Sequence, residues 1–158
     1  MSKMIVEDRT DIAGSVIRRD PKDLSYIVLH HTRTGLSAKP ENIVYIDRVT
    51  GKRYPAPYHY LVYTSGRIVK TRPILSVGTC VAKMNTKCVC VAGVGDWESR
   101  DSTTPAFLDA MVWLISEILR QYPTLEVVPH HKLVSTSCPG KRFPLEVILA
   151  RVAKARSV

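Results

Sequence analysis

Long apolar runs are missing from this chain of 158 residues: none approaches the roughly 20 residues that cross a bilayer, so no membrane span is expected. The opening Met-Ser-Lys-Met-Ile-Val-Glu-Asp lacks the apolar centre of a secretory signal, which points to synthesis in a cytoplasm without a signal peptide. Cysteine is scarce. Cys80, Cys88, Cys90 and Cys138 are too few for a disulfide scaffold of this length and are expected as thiols, with Cys80–Cys88 the bridge to consider. Repeats, low-complexity tracts and internal linkers are absent, as is any nucleic-acid-binding motif, so no specific nucleic-acid partner is expected. What is present resembles an ordinary soluble domain, 45% hydrophobic and 23% charged. A chain this long fits one domain and buries roughly two-thirds of the surface its unfolded form exposes.

Acidic residues are outnumbered, 14 against 23 Lys and Arg, giving a net charge of +9. Such a surplus suits a polyanionic partner, whether nucleic acid, membrane or cell wall, and equally a plain solvated surface. The cations are spread over residues 1–24, read as a basic N-terminal arm (Arg9, Arg18, Arg19, Lys22), the middle (Lys52, Arg53, Arg67, Lys70, Arg72) and the tail.

Beyond the arm, Tyr26-Ile27-Val28-Leu29-His30 reads as a strand buried on both faces, with His30 and His31 at its C-terminal end. Neighbouring strand residues face opposite ways, so at most one of the two histidines reaches a given site. Lys39-Pro40-Glu41 predicts a short helix running to Gly51, with Ile43 and Ile46 on one side. Tyr58–Tyr63 and Arg67–Thr71, separated by Thr64-Ser65-Gly66, predict a hairpin, and Val89–Val94 a further buried strand. The Cys88-x-Cys90 pair lies on one face of that strand and is read as core packing. Thr104 caps the longest expected helix, Pro105–Gln121, whose apolar stripe recurs at three- and four-residue steps. A short strand at 124–128 leads to His130, and Pro144-Leu145 begins a basic amphipathic C-terminal helix. The expected fold is α/β: a single domain, residues 25–158, with a central mixed β-sheet flanked by helices on both faces.

Chemistry concentrates in Pro129–Pro144, where His130 and Cys138 stand eight residues apart before a Pro-Gly turn. With His30 they make a three-ligand zinc set, Zn2+ keeping its fourth position for water or substrate, which is the catalytic pattern. An open zinc polarises a carbonyl and acidifies its water, so amide hydrolysis is the obvious use. Tyr58, at a strand start, can donate a hydrogen bond to the oxyanion that develops.

At these residues the sequence resembles the zinc-dependent N-acetylmuramoyl-L-alanine amidases (type-2 amidases), a family that includes phage endolysins and animal peptidoglycan recognition proteins. The likeness runs from Ser25 to Pro144 in order: Tyr26–Thr32 for the first ligand strand, Pro57–Val62 with Ser65–Pro73 for the hairpin, Asn85 and Val94-Gly95-Asp96 for the next segment, and His130 to Cys138 for the closing motif. It implies zinc on His30, His130 and Cys138, disfavours His131, and makes Tyr58 catalytic. Position 136 is Lys in some phage members and Thr in many recognition proteins; here Thr136 offers a hydroxyl without fixed charge as a second catalytic group. Within the family the chain is most similar to short phage endolysins, including those of thermophile phages. The resemblance implies a monomeric enzyme that lyses bacterial walls by cutting peptidoglycan between N-acetylmuramic acid and L-alanine, reaching the wall after release from the host cytoplasm. The alternatives are a non-catalytic peptidoglycan-binding module, a thiol hydrolase using Cys138 with His130, and a basic protein that binds nucleic acid or a polymerase. His31, His59 and His131 are expected as packing or contact residues, and Asn85 as either a turn residue or a substrate contact.

Overall fold

The computed structural model describes residues 4–157. In chain order the strands are β1 (Val6–Asp8), β2 (Tyr26–His31), β3 (Val44–Ile46), β4 (Arg53–Pro55), β5 (Tyr60–Val62), β6 (Ile68–Lys70), β7 (Cys88–Gly93) and β8 (Glu126–Pro129). The helices are α1 (Pro105–Gln121), α2 (His130–Leu133) and α3 (Leu145–Arg156). Six strands form one mixed sheet in the order β1-β6-β5-β7-β2-β8, with β5 and β6 antiparallel and the other neighbours parallel.

The apolar runs of β2 and β7 sit at the middle of this sheet, where both faces must be covered, and every residue from Ile27 to His31 and from Cys88 to Gly93 is buried. Alternation sends Ile27, Leu29, Val89 and Val91 to one face, against Phe107, Met111 and Ile115 of α1 and Ile148 of α3. Thr104 caps α1 as expected, its hydroxyl accepting the Phe107 N–H at 3.0 Å. Val28, Cys88, Cys90 and Val128 face the other way, under Leu133 of α2 and Met84. Both long helices therefore share one face. Short helical turns and loops cover the opposite face, which leaves it room for a groove.

Two expected elements differ. The helix predicted from Lys39 is a single turn at Pro40–Asn42 followed by the antiparallel hairpin β3–β4. β-Branched Ile43, Val44 and Ile46 favour strand over helix, and Asp47 Oδ1 accepts the N–H groups of Val49 and Thr50 to close the turn at Gly51. The arm, which shows no periodicity, nonetheless supplies β1 to the edge of the sheet beside β6, with Arg67 clamping Glu7 through two 2.7 Å bonds. Two of the cations counted toward a basic surface are internal: Arg19 and Arg72 are buried, and their guanidinium groups donate to backbone carbonyls rather than to carboxylates. Burial pulls the Arg19 pKa down to about 10.

The cysteines also depart from expectation. Cys80 is joined to Cys90, not to Cys88, with Cα atoms 6.6 Å apart, while Cys88 and Cys138 are free. The loop before β7 carries Cys80 over the strand face from which Cys90 projects. Asn85 pins that loop, its Oδ1 accepting the N–H groups of Cys80 and Val81 at 2.8 Å. Closing a loop with a sequence separation of 10 contributes about 2–3 kcal/mol by restraining the unfolded chain.

His59 is buried beneath this loop. Its Nδ1 accepts the Cys90 N–H at 3.0 Å, so the proton sits on Nε2, which donates to the Ser76 carbonyl at 2.7 Å. The Arg19 Nη2 found 3.1 Å from Nε2 then faces another donor, and that contact is not a hydrogen bond. Burial first, then Arg19, press the His59 pKa down to about 3. Unfolding lets this imidazole take a proton below its ordinary value near 6.5, whereas the fold refuses it until about 3, so stability must fall as pH drops through that window. Urea unfolding of metal-free protein is expected to show a loss of roughly 2–3 kcal/mol from His59 alone between about pH 7 and about pH 4.5. Equal stability at the two pH values would refute this account.

Candidate metal centre

Register builds the site. β8 runs parallel to β2 with Leu29 opposite Pro129, so the next residue of each strand, His30 and His130, arrives at the same level. Their rings stand 4.5 Å apart between centroids. From His130 the chain makes one turn of helix, α2, and returns through a loop whose bends are set by backbone bonds: His131 N–H donates to the Cys138 carbonyl at 3.1 Å and Gly140 N–H to the Ser137 carbonyl at 2.8 Å. Gly140 is required there: its φ is +102°, and a Cβ would meet the backbone of Trp97 and Glu98 at 2.5 Å. The loop delivers Cys138 Sγ to 3.6 Å from His30 Nδ1.

A ligand atom from each of His30, His130 and Cys138 lies within 4.8 Å of the other two. Donors at tetrahedral zinc distances of about 2.0–2.3 Å are themselves roughly 3.5 Å apart, so the set is near the required spacing. His130 Nδ1 is buried without a hydrogen-bond partner, a cost that a bound cation would relieve, while His30 turns its Nδ1 toward Cys138. Burial, then His130, pushes His30 well below the usual imidazole value, and burial brings His130 down to about 4; both are neutral with lone pairs free. Burial raises the Cys138 thiol to about 11, so without a metal it stays protonated and a poor nucleophile. The donor set therefore fits zinc. His30 also lies within the same reach of Cys80 and Cys90, but those sulfurs are bonded to each other and offer no thiolate.

Tyr58 leads into β5 with its ring 5.0 Å from that of His30. Burial, then Cys138, lifts its pKa above the usual tyrosine range, so its hydroxyl keeps its proton. Thr136 is exposed, and its Oγ1 accepts the Cys138 N–H at 3.3 Å, leaving the hydroxyl hydrogen free. Tyr58, His130 and Thr136 line a groove of about 650 Å³ on the open sheet face. The other histidines stand apart from this cluster. His31 turns to the opposite face, where its Nδ1 accepts the Trp97 N–H at 3.0 Å; burial lowers its pKa, so the 4.0 Å approach to Asp96 is a contact and not an ion pair. His59 is the buried packing group described above, and His131 is exposed. Asn85 pins its loop, as a turn residue would, and lines the groove. Sequence reasoning missed Thr79, which lines the same groove with a buried hydroxyl that has no partner; a lone threonine in a loop carries no signal.

No protein of curated function matches the chain. Among solved structures it is similar to the Ph2119 endolysin from Thermus scotoductus MAT2119 bacteriophage Ph2119, at 26% identity, TM-score 0.78, covering 94% of this chain and 99% of that one. It shares its fold with N-acetylmuramoyl-L-alanine amidase LysC from Clostridium intestinale, at 22% identity, TM-score 0.75 and coverage of 96% and 99%. Drosophila PGRP-LB has the same fold at 20% identity, TM-score 0.73 and coverage of 90% and 92%. The sequence match to N-acetylmuramoyl-L-alanine amidases runs over residues 20–141, from before the first histidine strand to beyond Cys138, and the chain belongs to that family.

Proposed function

We propose that the chain is a zinc-dependent peptidoglycan amidase of the endolysin kind, cutting the amide between N-acetylmuramic acid and L-alanine. In this reading residues 25–158 are the catalytic domain and residues 1–24 an N-terminal arm. The observation that carries it is the convergence of His30, His130 and Cys138, with His130 Nδ1 buried and unpartnered, beside a groove that His130 itself lines. Zinc held there would polarise the scissile carbonyl and activate the attacking water. The groove would bring the substrate past His130, Tyr58 and Thr136. Tyr58, whose proton is secure, donates to the carbonyl oxygen as negative charge builds on it, which is worth most in a site shielded from water. Thr136 stiffens the approach to Cys138 and has a hydroxyl hydrogen to offer the same oxygen. A thiol mechanism is disfavoured by the raised Cys138 pKa. The net charge of +9 suits an anionic wall. No helix among the described residues is long and apolar enough to cross a membrane.

Purified bacterial walls treated with the protein should gain L-alanine amino termini. Chelation should stop their release, and added zinc should restore it. Wall binding without new amino termini would instead favour a non-catalytic peptidoglycan-binding module.

A further inference from the structure

The groove has a wall that metal chemistry does not use. β3 and β4 form a two-stranded sheet of their own, with Tyr45 directly opposite Tyr54. Cross-strand partners project from the same face, and the two rings lie 5.8 Å apart between centroids at 34°. Both line the groove that holds His130 and Tyr58. Neither belongs to an apolar core cluster; Tyr45 is 43% exposed, and Tyr54 carries the Lys52 ammonium 4.9 Å over one face of its ring, so core packing does not account for the pair. The hairpin is also stiff: Asp47 Oδ1 takes two N–H groups at its turn, Asp47 N–H donates to the Lys52 carbonyl, and Ile43 anchors its base in the core. Preformed aromatic surface of this kind binds without an ordering cost.

We infer that Tyr45 and Tyr54 form a sugar-stacking subsite that seats the glycan strand of the substrate beside the scissile amide. The inference rests on the amidase reading, in which the bond at the metal centre joins a sugar-borne acyl group to a peptide, so glycan and peptide must leave that centre along the groove. The C–H face of a pyranose carries partial positive charge and matches the electron-rich face of an aromatic ring, and the tyrosine hydroxyls meet the ring's own hydroxyls. Asp47 and Arg48 beside the pair supply further hydrogen-bonding groups of both kinds.

The test is equilibrium binding of wild type, Tyr45→Ala/Tyr54→Ala and Tyr45→Phe/Tyr54→Phe to glycan strands stripped of peptide, and separately to free stem peptide. The double alanine variant should bind glycan about tenfold or more weakly, the double phenylalanine variant within about threefold of wild type, and peptide binding should not change. Unaltered glycan binding in the alanine variant, or loss of peptide binding instead, would overturn the assignment. Should the double variant fail to fold, Tyr45→Ala alone, at an exposed position, carries the same comparison with a smaller shift in the same direction. Because stripped strands contain no bond to cut, binding is read even if the chain proves not to hydrolyse walls, so the two readings fail separately.

Discussion

Serine in place of Cys138 is expected to remove zinc from the protein and to lower amide cleavage by roughly a thousandfold or more, about 4 kcal/mol of transition-state stabilisation. The thiol is the one ligand whose charge changes on binding. Burial holds it protonated at about 11, and only a cation beside it makes the thiolate stable at neutral pH. A serine hydroxyl is far harder to ionise and bonds zinc poorly, so two neutral imidazoles would be left to hold a dication. The fold should survive, since Cys138 is only partly buried and its backbone bonds to Thr136 and His131 do not involve the sulfur. Metal analysis of the purified variant, its thermal melt without zinc and the rate of L-alanine amino-terminus release check the three parts separately. An active, zinc-free wild type blocked by alkylation would instead identify Cys138 as a nucleophile.

The placement of His30 and His130 was legible because it follows from short-range pattern. An apolar run as continuous as Tyr26–Leu29 has to lie inside a sheet, and the residue that ends it has to emerge at the sheet's C-terminal rim, where His130 also emerges from β8. Helix α1 was equally readable from its stripe and its Thr104 cap, both properties of adjacent turns. The features that were not legible depend on contacts distant in sequence. Cys88 and Cys90 share a strand face, so periodicity cannot say which meets Cys80; the path of the loop pinned by Asn85 decides it. Arg19 reads as surface charge in an arm of low periodicity, yet it reaches carbonyls of residues 74, 85 and 86. The stretch that forms the β3–β4 hairpin has a helical signal in sequence because Ile43 and Ile46 stand three apart. The competing signal, β-branched residues around an Asp47-to-Gly51 turn, was present and outweighed it. That hairpin forms one wall of the groove.

Phenylalanine in place of Tyr58 is expected to lower kcat by roughly a hundredfold to a thousandfold while leaving KM and zinc content close to wild type. The substitution removes one oxygen and keeps the ring, so the 5.0 Å packing against His30 and the shape of the groove persist. Under the proposed mechanism, what disappears is a donor whose proton burial holds in place, meant for charge that exists only as the carbonyl is attacked. An interaction confined to the transition state appears in kcat and not in ground-state binding. A packing role alone would make phenylalanine neutral, and a substrate-binding role would raise KM with kcat unchanged, so kinetics on a soluble muropeptide separate all three. Thr136→Val should cost less than Tyr58→Phe in the same assay. The threonine is solvent-exposed, where water can replace it, whereas Tyr58 is partly buried, so water would replace its hydroxyl less readily.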